Sequence, residues 1–233
     1  MTSVLNPDAQ QALSLVQSTS LPRLVAESLE TMILNGQVAP GHKLNELALS
    51  QNLGVSRGPL REALRSLEEL GLIRQEKNRG AYVREIKLSE AADLYEVRAG
   101  LDATAGRLLA PKITPAQLQT LRGLTQAMRQ VTEAEVDRFH TLNLSFHDTL
   151  VGMTGNAVLL QQYRKLCKLL VLFRRRNLLA PSAIPHFAQE HSTIVDLLES
   201  GDAQATANAL FDHAQGGRNR MLQDGELTGD ETR

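Results

Sequence analysis

Gly54-Val55-Ser56-Arg57-Gly58-Pro59-Leu60-Arg61-Glu62-Ala63-Leu64 sets the terms on which the rest of this chain is read. Gly54 can close one helix in a left-handed conformation, and Ser56 is a good N-cap for the next. Pro59 falls in that next helix's first turn, where a missing N–H breaks no intrahelical bond. Leu60, Leu64 and Leu67 recur on one side, whereas Arg57, Arg61 and Arg65 recur one turn apart on the other. A helix that enters the major groove needs small or hydrogen-bonding residues at its start, here Ser56, Arg57 and Gly58, with arginines following. Arginine pairs bidentately with guanine or clamps a phosphate. An ordinary amphipathic helix with solvated arginines has the same period, so the neighbours must decide between the two.

Upstream, Leu21, Leu24, Val25, Leu29, Met32 and Ile33 predict a helix over 21–34, ended by Asn35-Gly36. Pro40-Gly41 is a turn, and a short helix is predicted from Asn45 to Asn52. The Arg-bearing helix is expected to reach about Leu70 and stop at Gly71. Leu72-Ile73-Arg74-Gln75 and Ala81-Tyr82-Val83-Arg84 flank the polar turn Lys77-Asn78-Arg79-Gly80 and read as a hairpin. Helix, helix, turn, helix, hairpin is the order of a winged helix-turn-helix, here placed over residues 20–85. Between Arg57 and Arg84 lie seven Lys or Arg and four Glu, a local excess of +3 in a chain of formal net charge −1. A phosphate footprint is therefore expected to be local.

From Ser89 onward there is no strand signal. Helices are expected near 89–109, 114–131, 133–153, 156–180, 186–200 and 202–222. Their limits are marked by Pro111, Thr114-Pro115, Thr154-Gly155-Asn156, Pro181 with Pro185, and Gly201-Asp202. The fold class expected is mainly α, a winged helix-turn-helix followed by an all-α bundle of about six helices over 89–222. Residues 1–19 are expected to form an arm and 223–233 a disordered tail. Hydrophobic residues make up 42% and aromatic residues 3% of the chain, so the core is expected to be aliphatic. The lone Cys167 excludes an internal disulfide and suits the cytoplasm. No apolar run approaches the roughly 20 residues of a membrane helix, and no membrane partner is expected.

The stretch Leu49-Ser50-Gln51-Asn52-Leu53-Gly54-Val55-Ser56-Arg57-Gly58-Pro59-Leu60-Arg61-Glu62-Ala63-Leu64-Arg65-Ser66-Leu67, followed by Gly71-Leu72-Ile73, resembles the GntR family of bacterial regulators. The resemblance implies base or phosphate contacts from Arg57 and Arg61, with Ser56 and Gly58 close to DNA. It also implies that the hairpin tip Asn78-Arg79-Gly80 enters the adjacent minor groove. The chain departs from the family at Leu47, which follows Glu46 where relatives often carry Arg.

Six histidines are present. Asn143 and His147 are four apart and share a helix face, while His191 and His213 fall on the last two expected helices. If those helices pack together, one amide oxygen and three imidazoles converge, a set that suits Zn, Ni or another first-row divalent metal. On spacing alone, a lone histidine on a helix is more often a surface or satisfied core residue than a ligand. The runs Asn143-Leu144-Ser145-Phe146-His147, Gly155-Asn156, Glu190-His191-Ser192-Thr193-Ile194, Gly201-Asp202-Ala203 and His213 are similar to the FCD ligand-binding domain of the FadR-type branch. Tyr95-Glu96-Val97-Arg98 and Asp102 match its opening helix. In metal-binding members the first ligand is often Asp, and here Asn143 stands in its place. Arg98 is the candidate for clamping an effector carboxylate, with Asp102 beside it; a salt bridge from Arg98 to Glu96 or Asp102 is the alternative. His140 either lines the same cavity or lies at the surface. Of Arg174-Arg175-Arg176, at most one can face that cavity.

These features point to a ligand-responsive transcription regulator that binds double-stranded operator DNA as a homodimer and takes a small carboxylate effector. Dimerisation is implied by the family and by site symmetry. A metal-dependent hydrolase and an effector-free DNA binder are the alternatives. The hydrolase lacks an obvious general base, since Asp148 is rotated about 100° from His147 on a helix.

Overall fold

The computed structural model describes residues 20–132, 134–174 and 184–227. The expected arm over 1–19, and Arg175 and Arg176, lie outside the described residues, as does the side chain of Arg174. The chain divides into two compact units, one ending at Glu85 and the other starting at Ile86.

The first unit is a winged helix-turn-helix. Helix α1 (Leu21–Leu34) buries Val25, Leu29 and Ile33, the i, i+4 stripe that the sequence shows. Strand β1 (Lys43–Leu44) leads into α2 (Glu46–Leu53), whose first turn is capped by the Asn45 side chain accepting from the N–H groups of Leu47 and Ala48. Gly54 ends α2 at φ +64, the left-handed backbone that a side chain would strain. Helix α3 (Arg57–Glu69) lays Leu60, Ala63, Leu64 and Leu67 against α1. Each fully buried leucine of this kind contributes about 1.5–3 kcal/mol. Strands β2 (Ile73–Glu76) and β3 (Gly80–Val83) form the wing, with Ile73, Ala81 and Val83 turned into the core.

Two details differ from the sequence reading. The hairpin is a sheet of three antiparallel strands in the order β1-β3-β2, with Lys43 opposite Tyr82 and Leu44 opposite Ala81. Two residues are too short a run to show alternation, so β1 left no signal. Ser56 occupies the N-cap of α3 but its side chain makes no capping bond. The N3 position is Pro59, which has no N–H to offer.

The second unit is an all-α bundle. Helix α4 (Leu88–Leu109) continues through a short 3-10 turn (Ala110–Lys112) into α5 (Pro115–Arg129). Then follow α6 (Val136–Met153), α7 (Ala157–Arg174), α8 (Ile184–Ser200) and α9 (Ala203–Leu227). Thr114 caps α5 and Gln117 completes a reciprocal capping box. Helix α6 starts later than its periodicity suggests, because the Glu135 carboxylate accepts from the Thr132 N–H and hydroxyl and holds a turn there. Helix α9 runs past the expected start of the tail at 223; Met221 anchors its end in the core, and residues 228–233 lie outside the described residues. Helices α4 and α9 pack along their lengths. A Cβ at Gly106 would lie 2.7 Å from Leu210 Cδ1, so glycine sets the closeness of that crossing. Phe146, Leu150, Leu109, Leu121, Met128 and Leu198 fill the centre.

Candidate functional site

Each unit carries one candidate site. On α3, Ser56, Arg57, Gly58, Arg61 and Arg65 are all exposed, because the leucine stripe buries the opposite face. Arg57 and Arg65 make none of the described ion pairs, whereas Arg61 Nε sits 3.1 Å from Glu46 Oε2 at the start of α2. Both partners are in solvent, so this pair is worth about 0.2–1 kcal/mol and can open towards another anion. The wing turn carries Asn78 at φ +64 and Gly80 at φ +99. Arg79 is exposed and reaches Glu76 at 3.2 Å. The basic character expected of the hairpin extends to two residues given no site role from sequence: the Lys43 ammonium and the Arg74 guanidinium lie 6.0 and 5.4 Å from the Tyr82 ring centre. Strand alternation alone puts Arg74 and Tyr82 on the outward face, but Lys43 needed β1.

In the helical unit, His147 from α6, His191 from α8 and His213 from α9 meet in the interior, all buried. His147 Nε2 is 3.2 Å from His213 Nε2 and 3.2 Å from His191 Nε2. The three residues' ligand atoms lie within 4.8 Å of one another. Each outer nitrogen has an acceptor in front of it. His191 Nδ1 is 2.6 Å from the Phe187 carbonyl oxygen, and His213 Nδ1 is 2.6 Å from Glu190 Oε2. His147 Nδ1 is 3.6 Å from Asp102 Oδ1, too long for a full hydrogen bond. A carbonyl and a carboxylate only accept, so Nδ1 of His191 and of His213 carries the proton and their Nε2 lone pairs point inward. Phe146 closes the site with its ring edge-on to His147 and His191 at 5.2 and 4.8 Å between centroids.

Charge is arranged around this centre. Asp102 is fully buried and receives Arg98 Nε at 3.0 Å, so the ion pair expected as one reading of Arg98 is formed through that nitrogen. Burial alone would raise the Asp102 carboxyl, but the Arg98 charge and the His147 ring outweigh it and hold it below the usual range. Burial, then the Arg98 charge, pushes His147 down to about 4. Burial and the two neighbouring imidazoles push His191 well below its ordinary value. Asn143 lies one turn before His147 on α6 and is buried. His140 is half-buried on the same helix, edge-on to Phe139. Asp148 is turned away into a bidentate pair with Arg164 at 2.6 and 2.7 Å. The sequence reading assigned no role to Glu190, which sits beside His191 but points towards α9, nor to Arg220, whose Nη1 is 3.4 Å from Glu190 Oε1. Arg220 is seven residues after His213, so helical spacing could have put it on the same face.

The sequence pattern described as "Bacterial regulatory proteins, gntR family" matches residues 22–83, and that of the FCD domain matches residues 93–216. The chain belongs to the GntR family. Its helical unit is an FCD domain, and the protein is a transcriptional regulator with a DNA-binding winged helix, not an enzyme. It is 30% identical over 199 residues to a probable transcriptional repressor of a D-xylose utilization operon from Paenarthrobacter nicotinovorans, covering 84% of this chain and 86% of that one. It is 29% identical to the Nta operon transcriptional regulator of Aminobacter aminovorans, covering 82% of this chain and 90% of that one. Among solved structures, Escherichia coli McbR/YncC superposes with a TM-score of 0.73 at 20% identity, covering 88% of this chain and 98% of the other. A GntR regulator from a Rhodococcus species gives 0.74 at 23% identity, covering 88% and 99%. Both share the fold.

Proposed function

We propose that this GntR-family regulator is a ligand-responsive repressor that binds a pseudo-palindromic operator as a homodimer in the cytoplasm. Its effector is a small organic acid bound beside a divalent transition metal in the FCD domain. Arg57, Arg61 and Arg65 face the major groove with Ser56 and Gly58 at the helix start, and Asn78, Arg79 and Gly80 enter the minor groove beside it. The idle Ser56 side chain suits this role, since it has no cap bond to give up before meeting a phosphate.

The observation that carries the metal reading is the crowding of ring nitrogens. Two Nε2 atoms, each only 3.2 Å from that of His147, present lone pairs to one another's surroundings, and only a proton or a metal cation between them relieves the repulsion. The single ring proton of a neutral His147, carried on Nε2, can meet one of those two lone pairs at a time, whereas a cation meets all three nitrogens together. The separation also fits two nitrogens on one zinc-like ion, roughly 3.3 Å apart for bond lengths near 2.0 Å in a tetrahedron. His147, His191 and His213 would hold the ion with Asn143 as the oxygen ligand, while Glu190, Asp102 and the Phe187 carbonyl orient the rings. Once bound, it would act as a Lewis acid towards an effector carboxylate.

Arg98 spends its Nε on Asp102, and its terminal amino groups make none of the described hydrogen bonds, so they remain to face that carboxylate, with His140 on the same side. An ion and an acid together tie α6, α8 and α9 into one arrangement, and a ligand that favours one arrangement shifts the balance between operator-binding states. Metal analysis of the purified protein, then operator titration at fixed salt with and without carboxylates, tests the reading. Stoichiometric metal and a carboxylate-dependent change in operator affinity are expected. Heat of binding with neutral sugars and none with carboxylates would refute the acid effector.

A further inference from the structure

We infer that the effector is a dianion, with Arg220 holding its second acid group; this rests on the metal-and-acid reading above. Arg98 is already engaged, its Nε with Asp102 and its terminal amino groups with the first acid group. Arg220 is placed differently. Among the described residues its Nε and Nη2 are buried with no hydrogen-bond partner, as is Nε of Arg218 two residues earlier. Its acidic neighbour among the described residues, Glu190, is 3.4 Å away through Nη1 and is already shared with His213. Two unsatisfied donors on one planar guanidinium match the paired oxygens of a carboxylate.

The backbone is shaped for this placement. The guanidinium lies 3.9 Å over the Phe187 ring, and a Cβ at Gly216 would sit 3.2 and 3.3 Å from its Nη1 and Nη2. Glycine inside a helix weakens it, and here the missing side chain is what lets Arg220 fold back along α9 towards His213. The guanidinium therefore stands beside residue 216, only about three residues or roughly 4.5 Å of helix rise from His213. One acid group at the metal centre and another at Arg220 describe a short dicarboxylate. The charge agrees: a divalent ion and Arg220, set against the Glu190 carboxylate, leave positive charge that a dianion complements.

The test is calorimetry on the metal-loaded full chain with malonate, succinate and glutarate, each against the monocarboxylate of the same carbon count. At least one diacid is expected to bind about tenfold more tightly than its partner. In Arg220→Ala and in Gly216→Ala that ratio should fall close to one. Gly216→Ala favours the helix, so loss of selectivity there is not loss of fold. A ratio near one in the unaltered protein overturns the inference and leaves the acid-effector reading standing. A ratio that persists in both variants also overturns it. Loss of metal from Arg220→Ala would show that Arg220 only positions Glu190, which equally overturns the inference. Failure of every acid to bind would remove the acid-effector reading as well.

Discussion

The two sites solve opposite solvation problems. On α3, Arg57, Arg61 and Arg65 stand in water, and even the Arg61 contact with Glu46 is half open to solvent. In the FCD domain, His147, His191 and His213 are buried, and a buried polar group without a partner costs about 1–3 kcal/mol. The exposed arginines stay hydrated and are open to an incoming anion. Burial keeps the His147 and His191 imidazoles neutral, the form in which they would hold the proposed metal, and makes the outer acceptors necessary. Removing a group from the first site should change binding and spare the fold; removing one from the second should change both.

The largest expected effect is in the buried site. His147→Ala should cut metal affinity by more than about a hundredfold, since losing even an outer-shell partner of a metal ligand costs roughly 10–100-fold. Metal competition with a chromogenic chelator reads this, and unchanged affinity would sever the histidines from any metal. Acid sensitivity of the metal-free protein comes next. The folded-state value of His147 lies at about 4, below its ordinary 6.5, so the fold binds fewer protons than the unfolded chain in that interval. Stability is then full above pH 6.5 and falls as pH drops towards 4, by on the order of 3 kcal/mol. Urea unfolding at a series of pH values checks it, and a flat profile would contradict the buried neutral imidazole.

Arg57→Ala should weaken specific operator binding by roughly 10–100-fold with circular dichroism unchanged, as expected for an exposed base-reading arginine. Equal affinities at fixed salt would remove Arg57 from the interface. The smallest effect is Glu46→Gln, which should alter unfolding free energy by less than about 1 kcal/mol, the range of a solvent-exposed pair. A larger loss would mean that Glu46 and Arg61 hold α2 on α3, blurring the contrast between the two sites.

Legibility followed the same division. The leucine stripe of α3, the helix over Leu21–Leu34 and the Thr114 cap were readable because each depends on neighbours three or four residues away. Strand β1 was not, since two residues become a strand only by pairing with β3. In the FCD domain, His147, His191 and His213 could be named from residue type and family pattern, whereas Glu190 and Arg220 could not be given their places. Glu190 meets His213 across 23 residues, and that contact exists only once α8 and α9 are packed.

What the sequence determined by itself was therefore periodic and local: which faces are apolar, where helices stop, and that arginines line the outside of α3. Periodicity also set the order of elements, and with it the winged helix followed by an all-α domain. Tertiary packing alone decided which nitrogen of each histidine points inward, that Glu190 meets His213, and that Arg220 lies over Phe187. Those outcomes depend on groups far apart in the chain whose hydrogen bonds must be satisfied together in an interior without water, and no local spacing encodes that constraint.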